Sequence, residues 1–82
     1  MLVGREESPS TDAKRHERAV ALANELAELP DDYRQVLVLR HLDGLSFADV
    51  AEQMDRTAGA VRMLWFRAIE RLRGQLAKKD LI

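Results

Sequence analysis

Two apolar stripes of helical period follow one another between residues 46 and 72. The first stripe recurs at i, i+3, i+4 and i+7 and consists of Phe47, Val50, Ala51 and Met54, which is the spacing of one face of a short α-helix. The second stripe consists of Val61, Leu64, Trp65, Ala68, Leu72 and Leu76. Because the phase of the pattern is lost between the two stripes, the sequence predicts two helices that cross at a steep angle, as in a helix-turn-helix.

Polar residues before each stripe predict where these two helices begin. Ser46 is expected to cap the first helix, with Asp49 at the reciprocal position of a capping box. Thr57 is expected to cap the second helix in the same way. Between them, Asp55 lies in the predicted turn, and aspartate tolerates a left-handed backbone better than most residues.

The first half of the chain predicts two further helices. The first is expected over residues 12–29, with Ser10 or Thr11 as its cap and with an apolar stripe of Ala19, Leu22, Ala23, Leu26 and Leu29. Pro30 ends this helix, because the residue before a proline avoids the helical region. The second helix is expected to run to about residue 42. Residues 1–11 show no periodic stripe and are predicted to form a disordered leader or linker, which leaves residues 12–82 as one all-α domain of about four helices.

Residues 36–39 are four consecutive apolar residues, and they cover more than one face of the second helix. One interpretation is a central helix that is buried on two sides. The other is that Val36, Leu37 and Leu39 leave part of their surface open for a partner protein. The sequence does not choose between the two.

Composition argues against several classes of protein. The chain contains no cysteine, so disulfides and thiolate metal sites are excluded. Its two isolated histidines, without a phosphate-binding glycine loop or a facing pair of carboxylates, predict neither catalysis nor a cofactor nor a metal site. No apolar run approaches the roughly 18 residues of a membrane span and no signal peptide is visible, so we expect a cytoplasmic protein with no membrane partner.

Charge is divided unevenly along the chain. Residues 1–55 carry six lysines and arginines against twelve carboxylates, a net charge of −6, whereas residues 56–82 carry seven against two, a net charge of +5. The basic part coincides with the second helix of the predicted pair. A local positive field determines where a polyanion binds, so the overall charge of −1 does not exclude nucleic acid.

Residues 29–76 resemble region 4 of bacterial RNA polymerase sigma factors, most closely the small extracytoplasmic-function type. The resemblance rests on an ordered set of residues: Leu29-Pro30, Tyr33-Arg34, residues 36–40, Gly44-Leu45-Ser46, Val50-Ala51, Gly59-Ala60-Val61-Arg62, Arg67-Ala68 and Leu72-Arg73. It implies that the second helix of the pair enters the major groove of the promoter −35 element. It also implies docking on the β-flap of the polymerase core, with residues 36–39 facing the flap or an anti-sigma factor.

The candidate DNA-binding residues lie at the start and on the outward side of the last helix. They are Arg56, Thr57, Ala58, Gly59, Arg62, Met63, Phe66, Arg67 and Arg71. Small residues in the first turn permit close approach of its amides to the duplex. Arg62 is the candidate for a bidentate contact with guanine, whereas Arg67 and Arg71 are expected to bind phosphates. Met63, Leu64 and Phe66 depart from the polar or basic residues common in the family, so its −35 sequence preference is not carried over.

Two alternatives remain open on the sequence alone. A stand-alone regulator would bind DNA as a homodimer, whereas a sigma-factor domain is expected to be monomeric when free. An interaction module would keep the polymerase or anti-sigma surface while its DNA binding is vestigial, and the loss of a basic residue at Leu64 favours that alternative. The start of the chain further suggests either a fragment of a longer sigma factor or a short gene product.

Overall fold

The computed structural model describes residues 9–80 of the chain, and the side chains of residues 12–80. It contains four α-helices: α1 (Pro9–Ala27), α2 (Asp31–Leu37), α3 (Phe47–Met54) and α4 (Ala58–Lys78). A π-helical segment, Val38–Leu42, continues directly from α2. The described residues form no strand, which confirms the predicted all-α fold of about four helices. Within this part of the chain, no helix combines the length and apolar character that a bilayer span requires.

The bounds of α1 differ from the prediction at both ends. The helix begins at Pro9, which suits the first turn because its missing N–H would have no partner there. The predicted caps Ser10 and Thr11 therefore lie inside the helix and not before it. At the other end, the amides of Glu28 and Leu29 each bond the carbonyl three residues earlier, at 3.1 Å, and this tightening closes the last turn. The predicted leader overlaps α1 at residues 9–11, and residues 1–8 lie outside the described residues.

The helix α4 is the element on which the core is assembled, because it packs against α1, α2 and α3. Its own contribution is Val61, Leu64 and Ala68, of which Val61 and Ala68 have no exposed surface. The other buried apolar residues come from the preceding helices and loops: Leu29, Val36, Leu37, Val50 and Ala51. Burying such aliphatic side chains contributes about 1.5–3 kcal/mol each for the larger ones, and this burial holds α4 against the shorter helices.

Most of the stripe predicted to pack α1 is exposed, which corrects the expectation for this helix. Leu26 is half-buried and Leu29 is buried, whereas Ala19, Leu22 and Ala23 are exposed. The reason is tertiary: α1 packs against α4, and the described hydrogen bonds that join the two ends come from Glu25 and Glu28, at the C-terminal end of α1.

The end of α1 is joined to the end of α4 by a polar cluster around Glu25, whose exposed fraction is 3%. The Lys79 ammonium donates to Glu25 Oε2 at 2.8 Å and to Glu28 Oε2 at 2.6 Å. The Gln75 amide donates to Glu25 Oε1 and to its backbone carbonyl, each at 3.0 Å. The hydrogen bond from Lys79 lowers the pKa of Glu25 below its ordinary value, and this effect outweighs burial, which acts in the opposite direction. A buried carboxylate is thus kept ionised by its partners.

The turn between α3 and α4 is built as the sequence predicts. The hydroxyl oxygen of Ser46 accepts from the Asp49 amide and that of Thr57 from the Ala60 amide, both at 3.1 Å. Asp55 adopts a left-handed backbone with φ 57°. The Arg56 amide then donates to the Ala51 carbonyl at 2.9 Å, which is the long bond of a Schellman motif.

The connection before α3 is different from the plain helix end expected near residue 42. The Asp43 amide donates to the Val38 carbonyl at 3.0 Å, five residues back, so the last turn is π-helical. Gly44 then takes a left-handed backbone with φ 72°, and the Leu45 amide donates to the Leu39 carbonyl at 3.0 Å. This wider turn brings Arg40 and His41 toward the start of α3 and the middle of α4.

Replacing Glu25 with glutamine tests the polar cluster. Since the folded-state pKa of Glu25 lies below its unfolded value, the ionised carboxylate stabilises the fold above the unfolded pKa of about 4.3. That stabilisation is lost as the pH falls through the lower, folded-state pKa. We expect Glu25→Gln to lower the urea midpoint at pH 7, and we expect its difference from the wild type to shrink as the pH falls below about 4.

The control is Glu17→Gln, which removes an exposed carboxylate from the same helix and should shift the midpoint little at any pH. A difference between Glu25→Gln and the wild type that stays constant from pH 7 to pH 3 would contradict the assigned role of the ionised carboxylate.

Candidate nucleic-acid interface

The two flanks of α4 differ in exposure as the sequence predicts. Val61, Leu64 and Ala68 are buried, and Trp65 is half-buried against the core. The opposite flank carries Arg62, Met63, Phe66 and Arg67, all exposed, with exposed fractions of 54% for Met63 and 55% for Phe66. Met63 and Phe66 are three positions apart and therefore lie next to each other on the helix surface, between the two arginines.

The first turn of α4 offers free space in front of its backbone. Thr57 is exposed, Ala58 is half-buried and Gly59 is exposed. A Cβ atom added at Gly59 would meet no heavy atom of a neighbouring element within 4 Å. Tight packing therefore does not explain why position 59 is a glycine. The other explanation is that a ligand approaches the backbone amides of this turn closely.

Arg56 is exposed but already paired. Its guanidinium lies 3.6 Å from Asp32 Oδ2, across the gap between the turn and the start of α2. Both side chains are about two-fifths exposed, and such solvated pairs contribute only ~0–1 kcal/mol. A phosphate can therefore compete with Asp32 for Arg56.

Arg71 lies on a different flank from Arg62. The two are nine positions apart, which corresponds to about two and a half turns, so their side chains point to roughly opposite sides of the helix. Arg71 lines a shallow surface groove together with Glu70, Gly74, Gln75 and Lys78. The predicted phosphate contact at Arg71 therefore approaches DNA from another side than the predicted base contact at Arg62.

Leu64 is buried, with an exposed fraction of 6%. Its side chain belongs to the core and adds an aliphatic residue to the packing of α4, so it does not stand on the surface beside Met63 and Phe66.

A cluster of aromatic and basic residues beside Arg62 was not anticipated from the sequence. The guanidinium carbons of Arg40 and Arg62 lie 4.6 and 5.6 Å from the centroid of the Phe47 ring. Trp65 meets the same ring at 5.7 Å in an edge-on orientation. The indole N–H of Trp65 donates to His41 Nε2 at 2.9 Å, which leaves the proton of the neutral imidazole on Nδ1.

The sequence pattern places Phe47 and Trp65 in two apolar stripes and Arg62 on the outward side of the last helix. The sequence does show a phenylalanine at the first position of α3, one residue after its cap, where the structure leaves it partly exposed. The partners of that ring come from two other elements, which helical periodicity does not report.

The residues assigned to a partner protein are mostly buried inside the domain, as expected for a central helix that is packed on two sides. Val36 has no exposed surface, Leu37 has an exposed fraction of 4%, and Leu39 is half-buried. The open apolar surface on this side is a groove of about 240 Å³, whose lining comes from α1, the end of α2, the π-helical segment and α4: Leu22, Leu26, Leu37, Val38, His41, Leu42, Ile69 and Leu72. Leu42, at 69% exposure, is the most exposed of its large apolar residues.

Comparison with known proteins identifies the family. The family described as Sigma-70, region 4 matches residues 19–72. An RNA polymerase sigma-E factor of Streptomyces coelicolor is 37% identical over 76 residues, covering 92% of this chain and 43% of that protein. An RNA polymerase sigma-H factor of Pseudomonas aeruginosa is 39% identical over 64 residues, covering 78% of this chain and 33% of that protein.

A third relative, an ECF RNA polymerase sigma-E factor of Haemophilus influenzae, is 44% identical over 48 residues, covering 58% of this chain and 25% of that protein. The chain thus spans between a quarter and less than half of the length of these three relatives. The family match covers more than half of the chain and includes α2, α3 and most of α4. The chain belongs to the sigma-70 region 4 family.

Proposed function

We propose that this chain recognises the −35 element of promoters and docks on RNA polymerase core, as the corresponding part of an extracytoplasmic-function sigma factor does in transcription initiation. The observation that carries the proposal is the exposed flank of α4, where Arg62, Met63, Phe66 and Arg67 stand free on a helix whose other flank is packed. The relatives named above are RNA polymerase sigma factors, which supports the same conclusion.

The start of α4 has the properties that a major groove requires. Ala58, Gly59 and Ala60 at its start carry small side chains, Gly59 and Ala60 are exposed, and no acidic residue lies in the first turn. Amides at a helix N-terminus attract phosphate. The residues that follow them along the helix can then reach base edges.

Individual contacts follow from these positions. Arg62 lies one turn into α4 and is assigned to a base edge, with guanine as the preferred partner of its two parallel donors. Phe66, exposed one turn further on, is assigned to apolar contact such as a thymine methyl group. Arg56, Arg67 and Arg71 are assigned to phosphates, which fix the position of the domain without reading sequence.

The apolar groove supports the second half of the proposal. None of the candidate DNA-binding residues lines it, so a protein and a duplex can be bound at the same time. Its open leucines, Leu22 and Leu42, give a helical partner an apolar surface of the kind that buried interface cores use. We assign this groove to polymerase core, with an anti-sigma factor as a competitor for the same surface.

The proposal is tested by NMR titration of the ¹⁵N-labelled chain with duplex DNA. A pool of duplexes with a randomised centre is first enriched by binding, and the enriched sequence is compared with a scrambled duplex of the same composition. We expect amide shifts concentrated at residues 57–67, tighter binding of the enriched duplex, and saturation at one chain per duplex. Equal binding of both duplexes would contradict promoter reading, and saturation at two chains per duplex with two half-sites would favour a homodimeric regulator.

Replacing Arg62 with alanine tests the assigned base contact. We expect Arg62→Ala to weaken binding of the enriched duplex by ~1–3 kcal/mol and to remove discrimination at one base pair. The control is Arg15→Ala, which removes the same charge from the exposed part of α1. If Arg62→Ala weakens enriched and scrambled duplexes equally in fluorescence anisotropy, Arg62 contacts phosphate and not a base.

Replacing Gly59 with alanine separates helix stability from DNA approach. Since a Cβ there meets nothing within 4 Å, Gly59→Ala should raise the free energy of unfolding by about 0.5–1 kcal/mol. The same methyl group should lower the affinity for both duplexes, because the backbone then stands farther from the phosphates.

Gly74→Ala is the matched control for that experiment, since a Cβ at Gly74 also meets nothing within 4 Å. It lies roughly 22 Å farther along the helix, so it should add stability without weakening DNA binding. An unchanged affinity in Gly59→Ala would show that the first turn of α4 does not approach the duplex closely.

A further inference from the structure

The ring of Phe47 is shared by two arginines that differ in how else they are held. Arg40 lies 4.6 Å from the ring centroid, and its guanidinium also donates to the Leu45 carbonyl at 2.9 Å. Arg62 lies 5.6 Å from the same centroid. Within residues 12–80, the structure gives the Arg62 guanidinium no ion pair and no hydrogen bond to add to this contact. Both distances fall inside the range of a cation–π interaction.

The ring itself is fixed by its neighbours. Phe47 is the first residue of α3 and is half-buried against the core. Trp65 packs its ring against Phe47 at an interplanar angle of 77°, and the hydrogen bond to His41 in turn fixes the indole of Trp65. The face that receives Arg62 therefore keeps one orientation relative to α4.

An unrestrained arginine on a helix surface samples many rotamers, and binding must select one of them. A contact that restricts the side chain before binding reduces the conformational entropy that is lost when DNA binds. Arg40 contacts the same ring, is also held by its hydrogen bond to the Leu45 carbonyl, and carries the same charge as Arg62. It therefore limits how far Arg62 can fold onto the ring and away from the duplex.

We propose that Phe47 is a positioning residue for sequence reading: its ring orients the Arg62 guanidinium toward the base edge before DNA arrives. This inference rests on the proposed function, since it assigns to Phe47 part of the discrimination made by Arg62. Phe47 does not need to touch the DNA for this role. The contribution is expected in the ratio of affinities for matched and mismatched duplexes and not in affinity as such.

The test compares Phe47→Leu with Phe47→Tyr, each with and without Arg62→Ala. Leucine keeps an apolar side chain against the core and removes the aromatic face, whereas tyrosine keeps the face. The quantity compared is the affinity for the enriched duplex divided by the affinity for a duplex changed at the base pair that Arg62 reads. We expect Phe47→Leu to reduce this ratio by roughly two- to fivefold, which corresponds to the usual strength of an exposed cation–π contact. Phe47→Tyr should retain the ratio, and Phe47→Leu should have no further effect on it in Arg62→Ala.

A second measurement uses the free chain and is independent of DNA. The side-chain protons of Arg62 should show an aromatic ring-current shift in the wild type and in Phe47→Tyr, and should lose it in Phe47→Leu. Circular dichroism at the working temperature identifies any variant that has unfolded. If Phe47→Leu unfolds, the wild-type chain still provides a test, because Arg62 side-chain protons without a ring-current shift would overturn the contact with the ring.

The possible outcomes separate this inference from the proposed function. A wild-type chain that does not discriminate between duplexes overturns the function. A discriminating wild type with an unchanged ratio in Phe47→Leu overturns the positioning role alone. Equal weakening of both duplexes by Phe47→Leu also overturns it, because that result is the mark of a general packing residue.

Discussion

The turn between α3 and α4 is the constraint on which the rest of the structure depends. Asp55 adopts a left-handed backbone, which costs most L residues roughly 1–2 kcal/mol and aspartate less. The Schellman bonds from Asp55 and Arg56 and the cap at Thr57 offset this cost. Because α3 ends and α4 begins within three residues, the two helices cannot continue as one. The apolar flank of α4 then turns onto α2 and α3, and its arginine flank is left in water.

The local features of α3, of α4 and of the turn between them were predicted well. These features are the caps at Ser46 and Thr57, the left-handed Asp55, and the inward and outward flanks of α4. Each of them depends only on residues that lie a few positions apart in the sequence. Each follows from one local rule of hydrogen bonding or helical period. These features also carry most of the candidate DNA interface.

Features that depend on distant residues were not predicted. Glu25 and Lys79 are 54 positions apart, and no period along the chain marks them as partners. The exposed stripe of α1 has the spacing of a packed helix, but only tertiary structure decides whether a partner covers it. Phe47 has the correct spacing for the core and is half-buried as expected, yet its cationic neighbours come from the π-helical segment and from α4.

The two proposed binding surfaces have opposite chemistry and share one helix. The apolar groove includes Ile69 and Leu72 of α4, whereas the basic surface uses its first turn and its outer flank. The acidic residues lie mainly on the earlier helices, where they lower the attraction of that side for a polyanion. One rigid helix thus fixes the distance between a protein contact and a DNA contact.

The π-helical segment has a consequence for how this connection tolerates change in length. Its wide turn accommodates one residue more than an α-helix would between the Val38 carbonyl and the amide that it binds. Deleting one residue there would restore regular winding and rotate the following side chains by about 100°. The His41 imidazole would then lose its hydrogen bond with the Trp65 indole, and Arg40 would lose its contact with the Phe47 ring. The spacing of this segment is therefore as restrictive as the identity of its residues.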